Sequence, residues 1–387
     1  MAAAFTRRGL LLGGVALAAA APLSDETDVV GQPLRPWRRG GLDIHHIATG
    51  KGDSALIIGP DGSSLMIDAG ASSTPPPASL DIRPSTERRA GEWIGRYARR
   101  HLPTPKLDAF LVSHLHPDHI DGLYDVAAAL PIGVLVDRAF PDYAWPAPSD
   151  APFLKAYIAF VRERAKAGGR VERFRVGVAD QLKLPGVEIR NLAANGEVWT
   201  GGRTKTRRLF PPTFAAADVP DENACSAAIR LRYGAFGYFA AGDLTSNSFD
   251  GTLPWRDVET AAARAAGPVD VAVAAHHGMF DATGADVVRA LKPRAWIIQG
   301  WHAAHPSPDA LERMLSPRLY PGPRDVFATG LSPANELAHK WLTDRLASRE
   351  GHVIVRVAPG GGSYRVVVTD NRDEADRVVA VAGPWTA

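Results

Sequence analysis

The segment Leu107-Asp108-Ala109-Phe110-Leu111-Val112, followed at once by Ser113-His114-Leu115-His116-Pro117-Asp118-His119, constrains this chain more than any other. The apolar half reads as a buried strand, which places the polar half in the loop at its C-terminal end. That loop gathers three imidazoles and a carboxylate, although the 387 residues include only 12 histidines. Histidine and aspartate are the side chains that borderline divalent metals prefer. His114 and His116, two apart in an extended segment, point the same way. Asp118 and His119 lie past the strand end and can turn toward a second point. One loop can thus serve two metal ions, and the crowding argues against a surface loop that is merely rich in histidine.

The rest of the chain alternates strands and helices. From Leu42 the pattern is strand, turn, strand, then the turn Asp68-Ala69-Gly70. Residues 72–86, rich in proline and serine, read as a loop. Glu87 to His101 has helical periodicity, with Trp93, Ile94 and Tyr97 as its buried stripe. Beyond the histidine loop, Gly122 to Leu130 predicts a helix and Ile132 to Val136 a strand. Residues 153–167 read as an amphipathic helix, 171–176 and 187–192 as strands, and 195–222 as a long irregular insertion. Ala227 to Tyr233 and Gly237 to Ala241 are strands leading to Gly242-Asp243. Val269 to Ala275 leads to His276-His277-Gly278, and Ala295 to Gly300 ends near His302 and His305. A helix over 334–349 and a hairpin, Val353–Val357 with Ser363–Thr369, close the chain. This order is α/β, and the candidate ligands fall at strand ends, where such sheets place their sites.

The pattern His-x-His-x-Asp-His resembles the signature of the metallo-β-lactamase superfamily. Gly50-Lys51-Gly52-Asp53 running into Ser54–Ile58, then Ser64–Gly70, Gly242-Asp243, His276-His277-Gly278 and His305-Pro306 extend the likeness. Their order resembles the branch that holds the extracytoplasmic domain of the competence-type DNA-uptake protein and its stand-alone hydrolase relatives. The match runs from about Gly41 to about Ser307 and on through the closing hairpin. It implies a four-layer αβ/βα sandwich over residues 41–387, with an insertion around 141–222 and the metals at the edge between two sheets. It further implies that His114 and His116 hold the first metal, and Asp118 and His119 the second. Asp118 would also face the bridging water and accept or relay its proton. Asp243 has two oxygens and by the branch likeness bridges both ions, with Gly242 permitting close backbone approach. Adjacent histidines at a strand end diverge, so one of His276 and His277 ligates. His276, the first residue off the strand, is the expected ligand; the other contacts substrate or a carboxylate. In the family the turn aspartate, here Asp68, hydrogen-bonds a ligating histidine and fixes its tautomer.

The chain departs from the superfamily in one respect: no histidine lies between His119 and Asp243. Asp221-Glu222-Asn223-Ala224-Cys225-Ser226 stands where the branch tends to carry asparagine and serine, which makes Asn223 an alternative ligand. The first site then has two imidazoles, the bridging carboxylate and water, and is more open; otherwise Glu222 or Asp221 completes it. Cys225 reads as packing. His305-Pro306-Ser307 opens a helix with Ser307 as N-cap. His305 is expected to protonate a leaving group or hold a phosphate oxygen, the alternative being a helix-start histidine in solvent. His45, His46, His101, His339 and His352 read as structural or exposed.

Composition bounds the function. The hydrophobic fraction of 45% and charged fraction of 22% are those of a soluble globular protein. A net charge of +2 gives no strong preference for polyanions, so nucleic acid is possible as a partner but not favoured. A single cysteine excludes an internal disulfide and a cysteine-rich metal site. Thr6-Arg7-Arg8-Gly9-Leu10-Leu11-Leu12, with small apolar residues on to Ala21, resembles a twin-arginine export signal over residues 1–21. The protein is therefore expected in the periplasm or outside the cell, and the stretch is short for a membrane span. Residues 22–40 read as a linker. Two divalent ions, zinc first and manganese second, lower the pKa of a bridging water and license hydrolysis of a phosphoester, lactone, thioester or β-lactam. The branch likeness favours a phosphodiester or a related small anionic ester. A lactonase or β-lactamase-type hydrolase is the alternative within the fold, and a non-catalytic metal-binding protein the alternative outside it. The basic residues Arg203, Lys205, Arg207 and Arg208 either attract an anionic substrate or are simply solvated.

Overall fold

The computed structural model describes residues 27–246 and 253–387. The expected export segment, residues 1–21, lies outside the described residues. In chain order the strands are β1 (Leu42–His46), β2 (Ala55–Ile58), β3 (Ser64–Ile67), β4 (Leu107–Leu111), β5 (Ile132–Asp137), β6 (Arg170–Arg173), β7 (Glu188–Ala194), β8 (Glu197–Trp199) and β9 (Thr206–Arg208). They continue as β10 (Ala228–Tyr233), β11 (Phe236–Ala240), β12 (Val271–Val273), β13 (Ala295–Ile298), β14 (Asp325–Ala328), β15 (His352–Val357), β16 (Ser363–Thr369) and β17 (Val378–Thr386). The helices that cover the sheets are α1 (Ala90–His101), α2 (Pro117–Ile120), α3 (Leu123–Ala129), α4 (Pro152–Lys166), α5 (Val258–Ala266), α6 (Ala285–Leu291) and α7 (Pro308–Leu315).

The strands form a nine-stranded sheet, β17-β16-β15-β1-β2-β3-β4-β5-β6, and an eight-stranded sheet, β14-β13-β12-β11-β10-β7-β8-β9. Ile44, Ile57 and Leu111 of the first and Ile229, Tyr238 and Ile297 of the second share one apolar layer between the sheets. On the outer face of the first sheet, Met66, Phe110 and Leu135 pack against Ile94, Tyr97, Leu123, Val126 and Tyr157 from α1, α3 and α4. On the outer face of the second, Trp296 and Val326 pack against Ala262, Val288 and Leu311 from α5, α6 and α7. These are the four layers of the αβ/βα sandwich. Strand β4 is apolar at consecutive positions because Ala109 and Leu111 face one layer and Phe110 the other.

β3, β4 and β5 run parallel, as do β11 to β14. The C-terminal ends of β3, β4, β11, β12 and β13 therefore meet along one edge of the sandwich. β2 runs antiparallel to β3, with Ala55 opposite Ile67, so its N-terminal end reaches the same edge.

Four expectations need correction. Residues 27–40 are not a free linker: Gly31 N–H donates to Val378 O (2.8 Å), Leu34 N–H donates to Asp376 O (2.9 Å), and Asp28 pairs with Arg356 (2.9 Å). The stretch 195–222 is not wholly irregular, because β8 and β9 extend the second sheet at its edge. The single helix expected over 334–349 divides into α8 (Pro333–Ala338) and α9 (Lys340–Thr343) at His339, whose φ of −124° is not helical. Strand β17 lies beyond the hairpin that was expected to close the fold. No helix among the described residues is long and apolar enough to cross a membrane.

Candidate metal centre

The histidine loop is held from beneath by Asp68. Its Oδ1 accepts from Ser113 N–H (2.7 Å), and its Oδ2 accepts from Ser113 Oγ (2.6 Å) and from His119 Nδ1 (2.9 Å). Pro117 starts the single turn of α2 with His116 as its N-cap, and that turn brings the His119 ring to 4.1 Å from the His114 ring, centroid to centroid. His114 Nε2 and His116 Nδ1 come within 3.1 Å of each other. Two glycines let the opening hairpin press on this loop: a Cβ on Gly52 would lie 2.1 Å from Asp118 O, and one on Gly70 would lie 1.9 Å from it.

The second sheet supplies the opposite wall. Asp243 follows β11, and its N–H donates to Ser226 Oγ (3.1 Å). Its carboxylate lies between the halves of the cluster: Oδ1 is 3.2 Å from His119 Nε2, and Oδ2 is 3.7 Å from His114 Nε2 and 3.3 Å from His277 Nε2. Asp118 Oδ2 is 3.0 Å from His277 Nε2 and 3.6 Å from His119 Nε2. Asp53, His119, Asp243 and His277 each offer a ligand atom within 4.8 Å of the others, and all four are buried.

The structure brings His277 into this cluster, where His276 was expected. Both residues have left-handed backbone, with φ of 48° for His276 and 54° for His277. Two such residues in succession reverse the exit from β12, and the second imidazole ends up inside, 2% exposed. His276 instead holds Asp281 Oδ1 through Nδ1 (2.8 Å), and its Nε2 is 3.1 Å from Asn223 Nδ2. Asn223 thus meets His276 and, among the described residues, no hydrogen bond joins it to His114 or His116. Glu222 and Asp221 do not complete the first site. Glu222 forms a two-pronged pair with the buried Arg138 (Oε2 to Nη2, 2.7 Å) and accepts from Leu115 N–H (3.1 Å). Asp221 accepts from Ala224 N–H (2.9 Å). Burial pushes the Cys225 thiol up to about 12, and the thiol donates to Asp221 O (3.5 Å).

His305 is not a solvent-facing residue at a helix start. It is 6% exposed and stacks on His277 with ring centroids 4.5 Å apart. Its Nδ1 is buried with no hydrogen-bond partner among the described residues. Ser307 caps α7 by accepting from Ala310 N–H (3.3 Å). His45, His46 and His352 are structural: His45 Nδ1 is 2.9 Å from Tyr97 Oη, His46 Nε2 is 3.0 Å from Tyr238 Oη, and His352 Nδ1 accepts from Ala48 N–H (2.9 Å).

Sequence reasoning missed Asp53, whose Oδ1 accepts from His277 Nδ1 (2.9 Å). It repeats what Asp68 does for His119: a carboxylate takes Nδ1 and leaves Nε2 facing Asp243. The signal was present in Gly52-Asp53 of the opening hairpin, but a search confined to C-terminal strand ends passes over the start of an antiparallel strand.

Burial opposes charge on Asp243 and Asp118, yet His119 and His277 beside them outweigh it and hold both carboxyls below the usual range. Burial, with His277 adjacent, pushes the His305 imidazole well below its ordinary value. The residues fit a divalent cation. His119 Nε2 and Asp243 Oδ1 are buried 3.2 Å apart and form no well-directed hydrogen bond among the described residues, which is costly unless something else occupies those lone pairs. Imidazole nitrogen and carboxylate oxygen are the donors that zinc and manganese accept.

A sandwich of this topology with a histidine and aspartate cluster at its edge defines a metallo-β-lactamase fold. Residues 48–194 match the sequence profile of the metallo-β-lactamase superfamily. Among solved structures, the β-hydroxylase CmlA from Streptomyces venezuelae is similar at 13% identity and a TM-score of 0.40, over 84% of this chain and 55% of that one. This chain thus spans about half the length of CmlA. Yeast PDE1 is similar at 9% identity and a TM-score of 0.42, over 80% of this chain and 98% of that one. A diphosphatase of the PhnP family is similar at 13% identity and a TM-score of 0.36, over 82% and 96%. No curated protein matches the chain.

Proposed function

We propose that this protein is a two-metal hydrolase of a phosphodiester or related small anionic ester. The observation that carries the proposal is the place of Asp243, whose Oδ1 faces His119 and whose Oδ2 lies between His114 and His277. His114 and His116, with Asp243, would hold one ion. Asp118, His119 and His277, with Asp243, would hold the other. Zinc suits this donor set first and manganese second. Two ions so held would supply an ionised water and a clamp for the oxyanion.

The chain's own groups do the rest. Asp118, the more open of the two carboxylates at 14% side-chain exposure against 2% for Asp243, accepts a proton and passes it outward. Asp68 and Asp53 hold the imidazoles of His119 and His277 in place. His305, kept neutral by burial, offers a hydrogen bond to a substrate oxygen in preference to a proton. A phosphoryl oxygen suits that donor, and a net charge of +2 suits a short ester better than a long polyanion. We assign residues 41–387 to the catalytic unit and an exported location to the protein, on the strength of the leader pattern in residues 1–21.

The test is turnover of bis-p-nitrophenyl phosphate against a chromogenic β-lactam, each with zinc or manganese, in wild type and Asp118→Ala. Activity on the lactam alone overturns the substrate assignment. A full metal complement without turnover of any ester class makes the protein a metal binder and no enzyme.

A further inference from the structure

We infer that Asp53 and Gln299 together fix which nitrogen of His277 carries its proton, through a hydrogen-bond chain that runs one way from the backbone of Ser54. The inference rests on the reading of His277 as a ligand and deepens it. The chain has three links. Ser54 N–H donates to Gln299 Oε1 (3.2 Å), Gln299 Nε2 donates to Asp53 Oδ2 (3.0 Å), and His277 Nδ1 donates to Asp53 Oδ1 (2.9 Å).

Its direction follows from what each group can do. A backbone N–H only donates, so the amide of Gln299 must turn its oxygen to Ser54 and its nitrogen to Asp53. An ionised carboxylate only accepts, so Asp53 takes the amide proton on one oxygen and the imidazole proton on the other. His277 Nδ1 is then protonated, and Nε2, 3.0 Å from Asp118 Oδ2 and 3.3 Å from Asp243 Oδ2, is the nitrogen whose lone pair a bound cation would take in place of a proton. Ser54, Asp53, Gln299 and His277 are at most 7% exposed, so water offers little alternative partnership. Gln299 follows β13 of the second sheet and Asp53 precedes β2 of the first, so the chain also crosses between the sheets.

As long as His277 Nδ1 keeps its proton, replacing Asp53 with asparagine puts two donors face to face, whichever way the new amide turns. The double variant D53N/Q299E restores the order: Ser54 N–H to Glu Oε1, Asn Nδ2 to Glu Oε2, and His277 Nδ1 to Asn Oδ1. It also keeps the net charge of the wild type. In the full chain, zinc affinity measured by chelator competition should fall about 10–100-fold in Asp53→Asn. Most of that loss should return in D53N/Q299E. Nitrogen-15 shifts of the zinc-bound wild type should show His277 protonated at Nδ1.

A wild type that binds zinc alongside an Asp53→Asn variant of equal affinity overturns the inference and leaves the proposed function standing. A double variant that folds but binds no better than Asp53→Asn overturns the donor order. A wild type that binds no zinc removes both readings. If Asp53→Asn fails to fold, the nitrogen-15 shifts decide alone, and zinc on Nδ1 of His277 overturns the proposal.

Discussion

Replacing Gly70 with alanine should disable the metal centre while leaving the sandwich folded. A Cβ there would sit 1.9 Å from Asp118 O and 2.6 Å from Asp53 N, and no side-chain atom is among these neighbours to swing aside. Ordinary contact begins near 3.4 Å, so the loop carrying Asp118 must retreat by about 1.5 Å. A misplacement of about 1 Å at a reacting group costs on the order of a hundredfold in rate. Gly52→Ala adds a backbone cost to the same collision, since Gly52 has φ of +140° and its Cβ would lie 2.1 Å from Asp118 O. Gly168→Ala is the control: it has φ of +86° and nothing within 4 Å, so it pays for conformation alone. The assay is ester hydrolysis at saturating metal, with circular dichroism and thermal melting to establish that each variant folds. Gly70→Ala and Gly52→Ala should lose about a hundredfold or more, and Gly168→Ala should stay near wild type. A folded Gly70→Ala with wild-type turnover and metal affinity would falsify the placement of Asp118 against the hairpin.

Three further outcomes follow from the same geometry. Glu222→Gln leaves the wholly buried Arg138 without its counter-charge and should cost about 3–5 kcal/mol in denaturant unfolding; a loss below about 1 kcal/mol refutes the buried pair. His46 has its pKa pushed down to about 4 by burial, so the unfolded chain binds a proton that the folded chain refuses as pH drops below about 6.5. Its contribution is complete above that pH and falls by about 2 kcal/mol by pH 5; His46→Gln should flatten the acid side of the stability curve by that amount, and an unchanged slope in melts across pH 5–8 contradicts it. Asp243→Ala should lose both ions and His116→Ala one, as counted by native mass spectrometry, and an Asp243→Ala chain that retains two ions removes the bridging role.

The layers and the histidine loop were legible because each is written in contiguous residues. From Ala109 to Leu111 β4 is buried on both faces and so reads as an apolar run, and the histidines shortly after it need no tertiary information to be seen as a cluster. What was not legible depends on contacts distant in sequence or on backbone dihedrals. The choice of His277 over His276 turns on two successive left-handed residues, which no side-chain pattern announces. Glu222 was a plausible ligand until Arg138, 84 residues away, claimed it. Strands β8 and β9 are three residues each, too short for alternation to show.

The opening hairpin carries Asp68 at the exit of β3 and Asp53 at the entrance of β2, one supporting His119 and the other His277. Their spacing is therefore a matter of strand register, set by Ala55 opposite Ile67. Register changes only in whole residues, about 3.4 Å at a time, and each step also turns the side chains to the other face. Residues inserted at the far turn, Gly59 to Ser63, should leave the centre intact, whereas a single residue inserted within β2 or β3 should abolish both imidazole supports together. The hairpin acts as a gauge block for the site: its error is either nil or disabling.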